Sequence, residues 1–304
     1  MSKRLPLTID GFQAGFISTQ HASDGEILIS YQMGGSGPPL LLLHGFPQTK
    51  MIWHRVAPAL AKHFTVIASD LRGYGASSKP QGLADHSTYS KRAMASDQAQ
   101  LMNALGFSHY GVLGHDRGGR VAHRLALDYG KQVNKLMVLD ISPTLAMYEQ
   151  TTMQFASSYW HWFFLIQKAP IPETMIGANT EFFMKQFMGG RHAGLSIFAP
   201  ECWQEYVLAM SDPACLHAMC EDYRAAASID LEHDRQTIAQ KQLLEIPVRV
   251  LWGEFGQVNA CFKPLEDWQK LGTDVSGQTL QSGHYIPEEI PEGLIAEALS
   301  FFRD

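Results

Sequence analysis

The residue of this sequence that points most directly to chemistry is an aspartate in a predicted turn, flanked by glycines. Asp116 lies in the stretch GHDRGGR, with Gly114 and Gly118 two residues away on either side. An apolar run precedes it and an amphipathic run follows it, which is typical of a sharp strand-to-helix turn that exposes one side chain. A carboxylate at such a turn can act as a nucleophile and form an ester on the enzyme. The alternative is that Asp116 only caps the following helix.

Two arginines follow this aspartate, three residues apart. Arg117 and Arg120 share one face of the predicted helix, at the end where the helix dipole disfavours positive charge. Each guanidinium carries several N–H donors that match a carboxylate in a bidentate pair. The pattern predicts a site for a substrate carboxylate. The alternative is an ion pair with Asp116 or with another acid of the chain.

A histidine late in the chain is the candidate general base. His284, in SGHYIPEE, follows a predicted last strand and precedes the closing helix, and an imidazole with a pKa near neutral can activate water against an ester. Such a base needs an acid to orient it. Asp140, directly after an apolar run, is the better candidate, and Glu254 stays open. The alternative for His284 is a place on a surface loop.

The loop that contains HGFP could stabilise a developing oxyanion. The backbone N–H of Phe46 and that of Arg117 are the expected donors, although the same residues could simply form a proline-containing turn. The glycine-rich stretch GGSGPP has no lysine at Walker spacing. We expect no cofactor and no metal.

Short apolar runs alternate with helical patterns and must position these side chains. We predict strands at 26–32, 40–43, 65–69, 112–113, 136–139, 247–252 and 275–280, and helices at 53–61, 94–105, 121–129 and 294–302. This order predicts an α/β fold with a mostly parallel sheet. Four polar residues directly follow strands, at the edge where ligands bind in such sheets: His44, Asp70, Asp116 and Asp140.

The amino-acid composition changes after the predicted strand that ends at residue 139. Residues 144–227 are rich in aromatics, methionine and helix formers, and SSYWHWFFL places five aromatic residues and a histidine together. We predict a helical cap at 144–227, inserted between two parts of the core at 1–143 and 228–304.

Composition narrows the possible function classes. The chain has 304 residues, a net charge of −6 and 45% hydrophobic residues, so it has material for a large core but no basic stripe of the kind that binds nucleic acid. No run approaches the ~20 apolar residues of a membrane span, and the first twelve residues have no signal-peptide pattern. The four cysteines lack CxxC spacing, so we expect reduced, mostly buried thiols in a cytoplasmic protein.

Five motifs together resemble one family. HGFPQ, DLRGYG, GHDRGGR, CEDYR and SGHYIPEE are similar to those of the fluoroacetate (haloacetate) dehalogenases of the α/β-hydrolase fold, and the resemblance runs from about residue 12 to 302. GHDxG alone also occurs in epoxide hydrolases and haloalkane dehalogenases. The two spaced arginines and the His-Trp pair are more specific, although Trp160 stands where the family usually has tyrosine.

The resemblance implies an α/β-hydrolase fold with an inserted helical cap and a role for each candidate. Asp116 would be the nucleophile and His284 the base with Asp140 as its partner, Arg117 and Arg120 would hold the substrate carboxylate, and the departing halide would be bound by His161, Trp162 and Tyr223. The activity implied is hydrolysis of a small anionic haloacid, such as fluoroacetate or chloroacetate, to glycolate and halide by a homodimer.

Two other functions stay open from the sequence. An epoxide hydrolase could use Tyr223 or Tyr159 to protonate an epoxide oxygen, but it needs no paired arginines. A binding protein on the same fold could sense a small acid without converting it.

Overall fold

A computed structural model describes residues 7–303. Its centre is one eight-stranded sheet in the order β1-β2-β4-β3-β5-β6-β7-β8. The strands are β1 (Gln13–His21), β2 (Gly25–Gly34), β3 (Pro39–Leu43), β4 (Thr65–Ser69), β5 (Tyr110–His115), β6 (Val133–Leu139), β7 (Val248–Gly253) and β8 (Val275–Leu280). The predicted α/β class is confirmed, with the strands near their predicted positions.

The sheet is parallel from β4 to β8 and antiparallel only where β2 meets β1 and β4. Leu40, Leu41, Leu42 and Leu43 of β3 are all buried, as expected for a central parallel strand covered on both faces. In register, Leu43 lies beside Ser69 of β4 and Gly114 of β5. The residues that follow these strands therefore meet at one edge of the sheet.

Helices cover both faces of the sheet and fill the stretch between β6 and β7. Three follow the first strands and four follow β7: α1 (Ala57–Leu60), α2 (Lys91–Ala104), α3 (Arg117–Asp128), α12 (Gln257–Cys261), α13 (Pro264–Gln269), α14 (Ile286–Glu289) and α15 (Pro291–Arg303). Between β6 and β7 the chain forms α4 (Thr144–Glu149), α5 (Met153–Ser158), α6 (Trp160–Leu165), α7 (Ile171–Gly177), α8 (Thr180–Gly189), α9 (Pro200–Ser211), α10 (Pro213–Ala226) and α11 (Ile229–Ala239).

Two sequence predictions need correction. The helix predicted at 53–61 is instead a 3₁₀ helix, Lys50–Trp53, followed by the single turn α1. Pro58 explains the break, because proline has no N–H and is tolerated only in the first turn of a helix. A second 3₁₀ helix spans Ser87–Tyr89. Strand β1 was not predicted, because its apolar residues are sparse and it pairs at an edge of the sheet with β2.

Three further observations bear on the composition. The four cysteines are free, and Cys202, Cys215 and Cys220 are buried while Cys261 is partly exposed. Within residues 7–303 no helix is both long and apolar enough to span a membrane. The prediction about a signal peptide rests partly on residues 1–6, which lie outside the described residues.

Candidate active site

The turn between β5 and α3 places Asp116 at the carboxyl edge of the sheet. Asp116 has φ +48° and ψ −116°, a conformation that non-glycine residues rarely adopt outside functional sites. A Cβ on Gly118 would lie 2.3 Å from the carbonyl oxygen of His44, so only glycine allows the strand and helix backbones to approach this closely. The turn has the geometry expected for a nucleophile elbow.

The Asp116 carboxylate is held by a backbone donor rather than used as a helix cap. The N–H of Phe46 donates to Oδ1 at 3.0 Å, and the side chain makes no capping bond to α3. Oδ2 lies 4.0 Å from Nε2 of His284. Burial favours a raised pKa for Asp116, but His284, His115 and Arg117 outweigh it and hold this pKa well below its usual value. The carboxylate is thus ionised at neutral pH.

A second carboxylate contacts the candidate base. Nδ1 of His284 lies 2.6 Å from Oδ2 of Asp140, and Oδ1 of Asp140 accepts the N–H of Gly253 at 3.0 Å. Both side chains are buried. Glu254 is exposed and contacts Gln281 instead. Of the two acids that the sequence left open, the geometry favours Asp140, because its contact leaves Nε2 of His284 facing Asp116.

His115 contacts the backbone of His284. Its Nε2 is 2.8 Å from the carbonyl oxygen of His284, and the two imidazole centroids are 4.8 Å apart. Burial, and then the neighbouring His284, lower the pKa of His115 to about 4. A neutral His115 at pH 7 can hold the backbone of His284 without adding a charge beside it.

The Arg117 guanidinium is paired with an acid that the sequence analysis did not single out. Its Nε and Nη2 donate to Asp222 at 3.0 and 2.6 Å, and Nη2 also reaches the Asp222 carbonyl at 2.8 Å. The same carboxylate accepts the hydroxyl of Tyr74 at 2.6 Å and contacts Nζ of Lys91. One nitrogen, Nη1 of Arg117, is buried with no partner among the described residues.

Arg120 is held by neutral groups alone. Its Nη1 donates to the Ser142 carbonyl at 3.1 Å and to the Thr144 hydroxyl at 2.9 Å, and Nη2 lies 3.1 Å from Sδ of Met147. Nε is buried and unpartnered within residues 7–303. Burial, and then the charge of Arg117, lower the pKa of Arg120. A buried guanidinium without an ion-pair partner is costly in free energy. An anionic ligand bound beside Arg120 would supply that partner.

Aromatic side chains of the segment between β6 and β7 pack against the two guanidinium groups. The Tyr223 ring lies 4.2 Å below the Arg117 guanidinium carbon, and the Trp162 ring 4.7 Å from that of Arg120. The His161 and Trp162 rings lie 5.9 and 6.3 Å from Tyr223. Nδ1 of His161 and Nε1 of Trp162 are buried without a partner among the described residues.

These orphan atoms need an explanation, because each buried and unsatisfied polar group costs about 1–3 kcal/mol. Burial, and then the charge of Arg191, lower the pKa of His161 well below its usual value, so its ring is neutral and can donate one N–H. The predicted residues are thus brought together in two groups beside the elbow: guanidinium nitrogens on one side, and indole and imidazole nitrogens on the other.

Asp222, Tyr74 and Lys91 were missed as site residues because nothing local marks them. Asp222 lies in the motif CEDYR and Tyr74 in DLRGYG. Only the fold shows that Arg117 and Asp222, 105 residues apart, are hydrogen-bonded. Within residues 7–303, no group of three or more His, Cys, Asp or Glu side chains is placed to hold a metal ion.

Known proteins support this architecture. A fluoroacetate dehalogenase from Burkholderia sp. is 44% identical over 281 residues, covering 92% of each chain. A soluble epoxide hydrolase from Corynebacterium sp. (strain C12) is 35% identical over 90% of this chain and 92% of its own. The solved structure of ALR0039 from Nostoc sp. PCC 7120, described as an α/β hydrolase, has 47% identity and a TM-score of 0.92 over 97% of this chain and 99% of that one.

The resemblance drawn from the five motifs is therefore confirmed over most of the chain. A family model for the α/β hydrolase fold matches residues 38–289, which include the elbow, Asp140 and His284. The chain belongs to the α/β-hydrolase family.

Proposed function

We propose that this protein hydrolyses the carbon–halogen bond of a short 2-haloacid, such as fluoroacetate or chloroacetate, to glycolate and halide. The observation that carries the proposal is Arg120, a buried cation with only neutral partners beside an ionised carboxylate at a strained elbow. A substrate that brings its own carboxylate and an electrophilic carbon satisfies both groups. The 44% identical fluoroacetate dehalogenase agrees with this substrate class.

In the first step, Oδ2 of Asp116 attacks the carbon that bears the halogen. The carbon–oxygen bond forms as the carbon–halogen bond breaks, and the halide takes the bonding electrons. Nη1 of Arg117 and Nε of Arg120, both buried and unpartnered, would hold the substrate carboxylate and align that carbon. Positioning of this kind lowers the barrier of a displacement substantially.

The departing halide needs donors where its charge develops. Trp162 and His161 offer buried N–H groups without a competing partner, and the Tyr223 hydroxyl is the third candidate donor. All three belong to the helices between β6 and β7. This arrangement supports their proposed role as the halide site, and the boundaries of the cap at 144–227 stay part of the proposal.

In the second step, water attacks the Asp116 ester. His284, oriented by Asp140 at 2.6 Å, would take a proton from the water, and the 4.0 Å gap between its Nε2 and Asp116 separates base and ester. The N–H of Phe46 already bonds Oδ1 of Asp116 at 3.0 Å, where the oxyanion would form, with the N–H of Arg117 as the second donor. His284 then returns this proton to the glycolate oxygen as the ester bond breaks, and the second proton of the water leaves the Asp116 carboxyl to solvent, which restores the carboxylate.

Epoxide hydrolysis is the second candidate, because one relative is an epoxide hydrolase and the buried Tyr159 ring lies beside His161 and Trp162, with its hydroxyl in contact with Arg191. That tyrosine, or Tyr223, could protonate an epoxide oxygen. Arg120 argues against this function, since a neutral epoxide brings no anion to pair with the unpartnered Nε of this guanidinium.

Halide release decides between these functions. An ion-selective electrode should detect fluoride from fluoroacetate or chloride from chloroacetate with the wild type, and none with Asp116→Asn, while Asp128→Asn, a surface change, keeps the activity. A single turnover in ¹⁸O-labelled water should leave the label in the protein and not in glycolate. Hydrolysis of styrene oxide without any halide release would favour the epoxide hydrolase, and neither activity would favour a binding protein.

The family resemblance also motivates a homodimer in the cytoplasm as part of the proposal. Light scattering during size-exclusion chromatography tests the dimer, for which a single-chain mass would be the contrary result.

A further inference from the structure

A cleft of about 540 Å³ reaches from the surface to His284. Trp160 and Phe255 line its outer part and are 44% and 46% exposed, whereas His284 is 4% exposed. A small solute that moves along this cleft would therefore pass from water to the candidate base. The residues that line its mouth decide what kind of solute enters.

One side of the mouth is closed by a stacked pair of rings. His192 follows α8 in the chain. Its ring stacks on that of Phe255, with the two centroids 4.4 Å apart and an interplanar angle of 22°. Phe255 belongs to the loop after β7, so the contact joins the helical segment to the core. A Cβ atom added to Gly283, the residue before His284, would lie only 2.9 Å from the Cβ of His192. His192 therefore packs directly against the backbone beside the base.

Arg191, next to His192, supplies the charge at this mouth. Its guanidinium carbon lies 5.0 Å from the ring centroids of both Tyr159 and Phe187, within the range of a cation–π contact. Phe187 in turn contacts His161, with centroids 4.6 Å apart. The guanidinium therefore lies between the cleft and the proposed halide site.

No acid forms an ion pair with this guanidinium among the described residues, although Asp116 acts on it from deeper in the site and the Tyr159 hydroxyl contacts it. Arg191 takes part in no ion pair within residues 7–303, in contrast to Arg72, Arg92, Arg117, Arg124, Arg224 and Arg249. It is also only partly buried. In a chain of net charge −6, an unpaired cation at the mouth of a cleft creates a local positive field that attracts small anions.

We propose that Arg191 is an anion-docking residue at this mouth. The carboxylate of an incoming small acid pairs first with Arg191, which is still reached by water, and then moves inward to the fully buried Arg120. A carboxylate that enters a buried site loses its hydration, and a cation on the way compensates part of that loss. The halide, formed beside His161, leaves past the same guanidinium.

The identity of the anion rests on the proposed function, whereas the docking site itself does not. Arg191 is here a positioning residue, because it is placed at the mouth and not at the reacting atoms. Its removal should therefore affect capture of the substrate more than the chemical steps.

The test uses Arg191→Met and Arg191→Gln to remove the charge, Arg191→Lys to keep it, and Arg235→Met as a matched control. Arg235 is exposed on α11, so the control changes the net charge equally, away from the cleft. With chloroacetate at low ionic strength, both neutral variants should lose about tenfold in kcat/KM with a smaller change in kcat. They should also lose most of the wild type's salt dependence, whereas Arg191→Lys retains it.

A second readout does not depend on turnover. Crystals soaked in bromide should show an anomalous peak at the Arg191 guanidinium of the wild type and of Arg191→Lys, and none there in Arg191→Gln. If the wild type releases no halide from any haloacetate, the proposed function is wrong, and the bromide peak still decides the docking site. Neutral variants that match Arg235→Met in kinetics, or bromide spread equally over surface arginines (an adventitious ion only), would overturn the inference.

Discussion

Replacement of Asp222 by asparagine should destabilise this protein strongly, because this buried carboxylate is the ion-pair partner of Arg117 and also pairs with Lys91, whose second acid, Asp230, lies 3.5 Å away. Asp222 accepts bonds from Arg117 at 3.0 and 2.6 Å and from the Tyr74 hydroxyl at 2.6 Å, and it contacts Nζ of Lys91. Asp222 and Arg117 are fully buried, and Lys91 nearly so. Asparagine keeps the volume but removes the charge and directs an NH₂ group towards one of its former donors.

The expected loss in the free energy of unfolding is about 3–5 kcal/mol, the range for a buried ion pair that loses one partner. That is a large part of the ~5–15 kcal/mol available to a typical domain. Asp128→Asn is the matched control, because Asp128 pairs with Arg92, whose side chain is 45% exposed, and its 3.5 Å contact with Arg124 leaves that arginine a closer acid, Asp234, at 2.7 Å. Pairs at the surface contribute only about 0–1 kcal/mol.

The pH dependence of this loss has a definite sign. Burial favours a raised pKa for Asp222, but Arg117 and Lys91 outweigh it and lower this pKa well below its ordinary value of 3.8. The stabilisation is therefore complete above pH 3.8 and disappears as the pH falls towards the folded-state pKa. The difference between wild type and Asp222→Asn should narrow in acid.

Urea unfolding at neutral pH and below pH 3.8 measures these differences, with circular dichroism as the signal. If Asp222→Asn proves no less stable than Asp128→Asn at neutral pH, the compensation argument is wrong. Halide release adds a functional readout, since an unheld Arg117 should raise the KM for chloroacetate in any Asp222→Asn protein that still folds.

Three further predictions concern Trp162, Glu288 and Gly118. Trp162→Phe removes the unpartnered indole N–H and should slow fluoride release by about 10²-fold, and bromide release less, since fluoride is the stronger acceptor; equal losses by electrode assay would contradict this role. Burial raises the pKa of Glu288 from 4.5 to about 8, so wild-type unfolding free energy should fall as the pH rises across this window, and urea titrations of Glu288→Gln should lack that slope; a shared slope would count against it. Gly118→Ala places Cβ 2.3 Å from a backbone oxygen and should abolish soluble expression, whereas Gly177→Ala, with its nearest atom at 3.8 Å, should not; equal expression would disprove the steric argument.

Much of the core and most of the candidate site could be predicted from local patterns. The short leucine run before His44 and the glycines around Asp116 have strong local requirements, namely burial on both faces and close backbone approach. The helix predicted at 53–61 was wrong because a proline outweighed the apolar spacing. Strand β1 was not predicted, because its pairing with β2, and not its own residue pattern, makes it a strand.

Contacts between distant parts of the chain were beyond that reasoning. The choice of Asp140 over Glu254 depends on a 2.6 Å contact across 144 residues. The partner of Arg117 lies on α10, and Arg191 reaches the mouth of the cleft only because α8 brings it there. No local propensity contains this information.

The sequence by itself determined which groups could react: an aspartate at an elbow, two arginines beside it and a late histidine, each marked by its neighbours along the chain. Only the tertiary structure decided how their charges are shared. It pairs Arg117 with Asp222 and leaves Arg120 with neutral partners, because the helices between β6 and β7 fold back over the sheet and deliver one carboxylate for two guanidinium groups. In a buried site, a guanidinium without an ion-pair partner favours an anionic ligand.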